Sequence, residues 1–195
     1  MAADEEAVKG QSVYLARPGM ENTDEVFSLA RKRAKELGIK TILVASTRGE
    51  AAVQAVTYFK GFKVIAVSHP ANYKEPNGQE FTTENKKKFE AKGGILVTAG
   101  LPFRGGAGAA MRKKFNLRTE ADIMADTLRI FGQGMKVVVE IGVMAADAGV
   151  VRVDESVVAI AGTGKGADTC IVLQPAASMD FFDTRVQEII CKPHL

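Results

Sequence analysis

A chain of 195 residues that is 46% hydrophobic and 25% charged has globular proportions, and it is long enough to bury about 70% of its unfolded surface in one core, which excludes intrinsic disorder and fibrous repeats. Its net charge of +3, from 26 Lys and Arg against 23 Asp and Glu, is too small and too dispersed for a nucleic-acid surface. The acidic, polar start MAADEEAVKG is neither a signal peptide nor a transit peptide, no apolar run reaches membrane-span length, and Cys170 and Cys191 sit in apolar runs without a disulfide framework, so the expectation is one cytoplasmic domain over 1–195 with a flexible segment over 1–10 and no membrane or nucleic-acid partner.

Residues 12–16 make a first short strand. Asn22 is placed to cap the next helix, with Glu25 three residues on to reach back to it. Val26, Ala30, Arg33 and Leu37 recur at helical spacing, and Gly38 supplies a left-handed stop. The basic run 31–35 is the solvated face of that helix. Residues 40–45 (KTILVA) form an uninterrupted apolar strand of the kind a parallel sheet covers on both faces. An almost wholly apolar helix over 49–59 and a strand over 62–67 complete a β-α-β-α-β series, which implies right-handed crossovers. A long loop over 68–82 follows, then a polar helix over 83–92 and a fourth strand over 94–98. A glycine-rich segment occupies 99–110. Thr119 caps a helix reaching Phe131, with Ile123, Met124, Leu128 and Phe131 on one side. Residues 135–148 carry a β-branched run, yet their length and the stop at Gly149 predict a helix. Strands over 157–161 and 169–173, joined by a reversal, and a final strand over 186–191 close the chain.

Ligands of open parallel sheets bind beyond the carboxyl ends of the strands. Four such ends are polar or glycine-rich: Ser46-Thr47-Arg48-Gly49, Ser68-His69, Thr98-Ala99-Gly100 and Gly162-Thr163-Gly164-Lys165-Gly166. The first lies between a buried strand and a buried helix, where free amides, two hydroxyls and an arginine suit a phosphate or carboxylate. The same residues equally suit a plain helix cap. The loop 162–169 (GTGKGADT) has neither the spacing of a Walker loop nor the following helix of a Rossmann fingerprint; it is a flexible turn or a lid whose Thr163 and Lys165 close over an anion. The glycines of 100–110 serve close packing, or Arg104, beside Gly105 and Gly106, adds a further candidate phosphate contact. His69 and His194 lack the companions of a metal site, so no metal is expected. Glu140 and Asp147, seven apart, share one helical face. They read as solvated or capping carboxylates or as a catalytic pair.

Two segments go further. Residues 42–69 and 157–175 resemble the C-terminal α/β domain of pyruvate kinase: strand, Ser/Thr-Gly loop, Ala-rich helix and strand, then a closing hairpin. The motifs RPGMENT from Arg17, VASTRGE from Val44, EIGVMAADAG from Glu140 and IAGTGKGADT from Ile160 are similar to a family of stand-alone archaeal and bacterial proteins built on that domain, over about Val13 to Pro193. The resemblance implies an α/β fold of three α/β/α layers, with a mostly parallel mixed sheet whose last strand is antiparallel. It implies flavin mononucleotide, FMN, or a similar phosphorylated ligand at the strand rim, with Ser46, Thr47 and Gly49 matching the phosphate loop and Gly162 to Lys165 the covering loop. Arg48, His69, Thr98, Gly100 and Arg104 join the candidate site by their place on the rim alone. The alternative is a regulatory module sensing a sugar phosphate. Pyruvate kinase activity is not expected, because nothing in the chain supplies the catalytic barrel. A homo-oligomer is expected from the assembly role of the related domain.

Overall fold

Seven strands form one sheet in the computed structural model of the protein, which describes residues 9–195. The flexible segment expected over 1–10 lies, as far as residue 8, outside the described residues. The strands are β1 (Val13–Leu15), β2 (Thr41–Ala45), β3 (Lys63–Ser68), β4 (Ile95–Thr98), β5 (Val157–Ala161), β6 (Thr169–Gln174) and β7 (Arg185–Pro193), in the spatial order β1-β7-β6-β5-β2-β3-β4. Strands β2, β3, β4 and β5 pair in parallel, as do β1 and β7, whereas β6 runs against both neighbours. The last strand therefore pairs antiparallel, as the resemblance implies, while pointing the same way as β2.

The helices are α1 (Thr23–Glu36), α2 (Glu50–Tyr58), α3 (Thr83–Glu90), α4 (Gly106–Phe115), α5 (Glu120–Arg129) and α6 (Gln133–Asp147). Alternation along β2 divides the core between two faces. Ile42 and Val44 join Phe27 of α1 and Ala52 and Ala55 of α2. Leu43 joins Val138, Ile141 and Met144 of α6 on the other side. Both faces are covered, which is why the strand sequences are apolar without interruption. Each fully buried large side chain, such as Phe27 or Leu43, contributes about 1.5–3 kcal/mol. Among the described residues no helix is long and apolar enough to cross a membrane.

The buried helix over 135–148 forms as expected, because burial on both flanks outweighs its β-branched composition. Three local expectations fail. The Asn22–Glu25 capping box does not form: Asn22 Nδ2 donates back to the Arg17 and Gly19 carbonyls, each at 3.0 Å. The glycine-rich segment contains α4, which buries no residue and so left no apolar stripe to read. In α5 the expected stripe is split: Met124 and Leu128 pack against the core, whereas Ile123 is 64% exposed and Phe131 just beyond is 49% exposed, and the inward face carries Asp122 and Ala125 as well. Asp122 faces inward because it holds the helix start, accepting from the Thr119 amide at 2.9 Å.

The strand order positions the site. From β2 the chain leaves through α2 to β3 on one side, and it returns through α6 to β5 on the other side of β2. Loops at the carboxyl ends of β2 and β5 therefore diverge and leave a crevice. Gly49, at the end of the β2 loop, has φ +104, and a Cβ there would stand 2.8 Å from the Phe81 ring. Gly49→Val should destabilise the fold by about 1–3 kcal/mol, seen as a lower urea midpoint with unchanged slope.

Candidate functional site

The crevice is a cleft of about 1290 Å³. Of the residues expected on the rim, Ser46, Thr47, Arg48 and His69 line one part of it, and Arg104, Gly162, Gly164 and Lys165 the rest. Four candidates fall outside its lining. Gly49 is buried behind the loop against Phe81 and Asn85. Thr98 and Gly100 lie at the outer strand β4; Thr98 Oγ1 is bound to Ser68 Oγ at 2.8 Å. Thr163 contributes its amide to Asp168 at 2.8 Å.

The β2 loop is held from two directions. The Ser46 amide donates to the Val67 carbonyl at 3.0 Å, and Ser46 Oγ accepts from the Ala52 amide at 3.2 Å. The plain-cap reading is thus true of the Ser46 hydroxyl oxygen, which keeps its own proton to donate. The Arg48 carbonyl accepts from the Thr82 amide at 3.2 Å and from Asn85 Nδ2 at 3.0 Å. A fixed carbonyl leaves the exposed Arg48 guanidinium at the cleft edge. The amides that open α2 have no intrahelical acceptor.

The loop joining β5 to β6 is also built rather than slack. Asp168 is fully buried, and one oxygen accepts from the Gly19 amide at 3.2 Å and the Thr163 amide at 2.8 Å; the other accepts from Thr169 Oγ1 at 2.8 Å. The Ala167 amide donates to Thr23 Oγ1 at 3.0 Å. Gly166 has φ +70 and lies against Met20 so closely that no Cβ fits. These contacts join the motif at 17–23 to the motif at 160–169, a pairing that sequence spacing cannot show. They present Gly164 and Lys165 over the cleft.

A third wall comes from the long loop over 68–82. His69 Nδ1 and Glu80 Oε2 are 2.8 Å apart, and Lys74 Nζ is 2.7 Å from Glu80 Oε1. Burial pushes the Glu80 carboxyl up, but Lys74 and His69 outweigh it and hold the group below its usual range. The Tyr73 ring lies 4.3 Å from the His69 ring. The fourth wall is α6, with Lys136 and Glu140 in a buried ion pair; Glu140 Oε1 also accepts from the Phe103 amide at 3.2 Å. Burial lowers the Lys136 ammonium pKa, Glu140 opposes this, and nearby Arg129 and Arg104 add to the lowering. Sequence pattern alone does not single out Lys136, Glu80 or Asp168 and offers Glu140 only as the partner of Asp147; the signal for the Lys136–Glu140 pair is a Lys and a Glu one turn apart within an apolar helix. The suggested Glu140–Asp147 pair does not form: Asp147 is exposed and accepts from the Ser178 amide at 2.8 Å. His194 stands apart, edge-on to Tyr14.

Beside this wall, Asp122 is 3% exposed and its carboxyl is held far below its ordinary value of 3.8, by the Thr119 amide first and the Arg112 guanidinium second. The folded chain keeps this group ionised where the unfolded chain has already protonated it. Its contribution is complete above the ordinary value and is lost as pH falls further. Asp122→Asn should therefore flatten the fall in stability below about pH 4, measured by urea unfolding across acid pH.

The family model of the pyruvate kinase alpha/beta domain matches residues 24–173 of the chain. A crystal structure of O-ureido-L-serine synthase matches at 17% identity with a TM-score of 0.31, covering 71% of this chain and 50% of that one. The chain thus spans half the length of that protein.

Proposed function

From the premise that this chain belongs to the pyruvate kinase alpha/beta domain family, we propose that it binds a phosphorylated small molecule in the cleft at the β2–β5 switch, and that the ligand is FMN. The observation that carries this reading is the convergence of two built loops on one space. Thr47 and Arg48 enter it from β2, and Lys165 enters it from the β5–β6 reversal. Hydroxyls, amides and two cations there match the charge-assisted hydrogen bonds a phosphate takes. The size of the cleft favours a ligand larger than a sugar phosphate, since pockets of about 300–1,000 Å³ already hold drug-sized molecules. Val67, Ile141 and Met144 supply an apolar floor for a flat ring.

Sensing of a sugar phosphate is the second reading, favoured by the loop that can cover a small anion. Absorption of the purified protein, followed by mass spectrometry of material released on mild denaturation, separates the two. FMN, with its visible bands, is expected. A colourless protein releasing a sugar phosphate would replace the first reading with the second. Self-association belongs to the same proposal, supported by the exposed Ile123, Ile130 and Phe131 at α5. Light scattering at micromolar concentration should give more than the monomer mass.

A further inference from the structure

His69 stands beside the proposed phosphate loop with one ring nitrogen left to react. Strands β2 and β3 run parallel with Ala45 opposite Val67, and the Ser46 amide donates to the Val67 carbonyl at 3.0 Å. Thr47 and Arg48 therefore leave β2 next to the point where Ser68 and His69 leave β3, and all four line the cleft. The imidazole is fixed on its other side. Its Nδ1 is 2.8 Å from Glu80 Oε2, and Lys74 Nζ is 2.7 Å from Glu80 Oε1. A carboxylate so paired accepts, so Nδ1 donates and Nε2 carries the lone pair. The Tyr73 ring lies 4.3 Å from the imidazole and restrains its rotation. The His69 side chain is 32% exposed, and among the described residues Nε2 has no hydrogen-bond partner. Arg48 and Lys165 line the same cleft and enter no salt bridge among the described residues. A base held by a carboxylate, beside cations without counter-charges, is the arrangement that phosphoryl acceptance requires.

We propose that His69 is a phosphorylation site: Nε2 takes a phosphoryl group from an acyl phosphate, and the phosphorylated ring closes the β2 loop to ligands anchored there by a phosphate. Nε2 forms the new N–P bond. The bond from phosphorus to the acyl oxygen breaks, and that oxygen leaves in a carboxylate with the electron pair. The ring becomes a cation whose Nδ1 proton stays on nitrogen against Glu80, while Arg48 and Lys165 offset charge on the phosphoryl oxygens. The donor class follows from the pair itself. With Nε2 as nucleophile, it has no proton to give a leaving group, which must depart unaided, as a carboxylate does. The bound phosphoryl group brings negative charge to the space assigned to the ligand phosphate, and the two repel. That exclusion rests on the phosphate reading of the β2 loop; the acceptor itself does not.

Acetyl phosphate is the probe, read by intact mass and by mapping the labelled residue at alkaline pH, where the N–P bond survives. Wild type should gain one phosphoryl group, at His69. His194, the other histidine, is exposed whereas His69 is half-buried, so it measures bare imidazole reactivity and should be labelled at least about tenfold more slowly. His69→Asn should gain none, and His194→Asn should be labelled as wild type is. Glu80→Ala should slow labelling at least about tenfold, and nitrogen NMR should find its neutral His69 ring no longer holding the proton on Nδ1. An unchanged rate and tautomer would overturn the positioning role of Glu80. Wild type without label, or with both histidines labelled equally, would overturn the acceptor. Phosphorylated protein should bind FMN at least about tenfold more weakly than unlabelled protein, and equal affinity would overturn the exclusion. A chain labelled at His69 that binds no FMN loses the FMN reading alone; a chain that binds FMN and takes no label loses the phosphorylation site alone.

Discussion

Lys136→Met should destabilise the protein by about 3–5 kcal/mol, the largest single effect expected on the fold. Lys136 and Glu140 are 4% and 3% exposed and form an ion pair one helical turn apart. Met fills the same space, so the loss is not a cavity. It is the uncompensated Glu140 carboxylate, left with the Phe103 amide as its remaining hydrogen-bond donor. Adding Glu140→Gln removes that buried charge and should restore most of the stability, because a buried pair as a whole is worth far less than either half alone costs. Urea unfolding of the single and double variants gives the coupling directly. A double variant no more stable than Lys136→Met would show that the pair is not what holds this wall.

Thr47→Glu should weaken binding of a phosphorylated ligand by at least about tenfold, since each decade is about 1.4 kcal/mol and a charged hydrogen bond contributes about 1.5–3 kcal/mol. The new carboxylate would stand in the cleft lining beside Arg48, where the phosphate is proposed to lie. The fold should survive, because Thr47 is half-buried at the rim and the loop is held through its neighbours: the Ser46 amide and hydroxyl and the Arg48 carbonyl. Lys87→Glu on α3, away from the cleft lining, is the control and should leave affinity almost unchanged.

The parallel core of the sheet is legible in the sequence because burial on both faces writes itself as uninterrupted runs such as TILVA and VVAIA. The rim is legible for a related reason: polar and glycine-rich residues directly follow those runs, and Ser46, Thr47, Arg48 and Lys165 all reach the cleft. What lies beyond is harder to read. Helix α4 packs peripherally and has no periodic stripe. The inward face of α5 combines Met124, Ala125 and Leu128 with Asp122, which is drawn in by its bonds to Thr119 and Arg112, so the apolar Ile123 points to water. The bonds of Asp168 to Gly19 and of Ala167 to Thr23 join residues 149 and 144 apart in sequence. Such partners are set by the chain's path, and nothing local marks them. The cleft wall of Lys136 and Glu140 is an intermediate case, since two charges within an apolar helix signal burial with a partner but not which cavity they face.

Fluorescence titration of FMN and riboflavin against the wild-type protein tests the central claim most directly, because the two ligands differ only by the phosphate. The account predicts saturable quenching of both, with FMN bound at least about tenfold tighter than riboflavin and the advantage abolished in Thr47→Glu. Equal affinity for FMN and riboflavin in wild type, or an FMN advantage that survives Thr47→Glu in a folded protein, would contradict it.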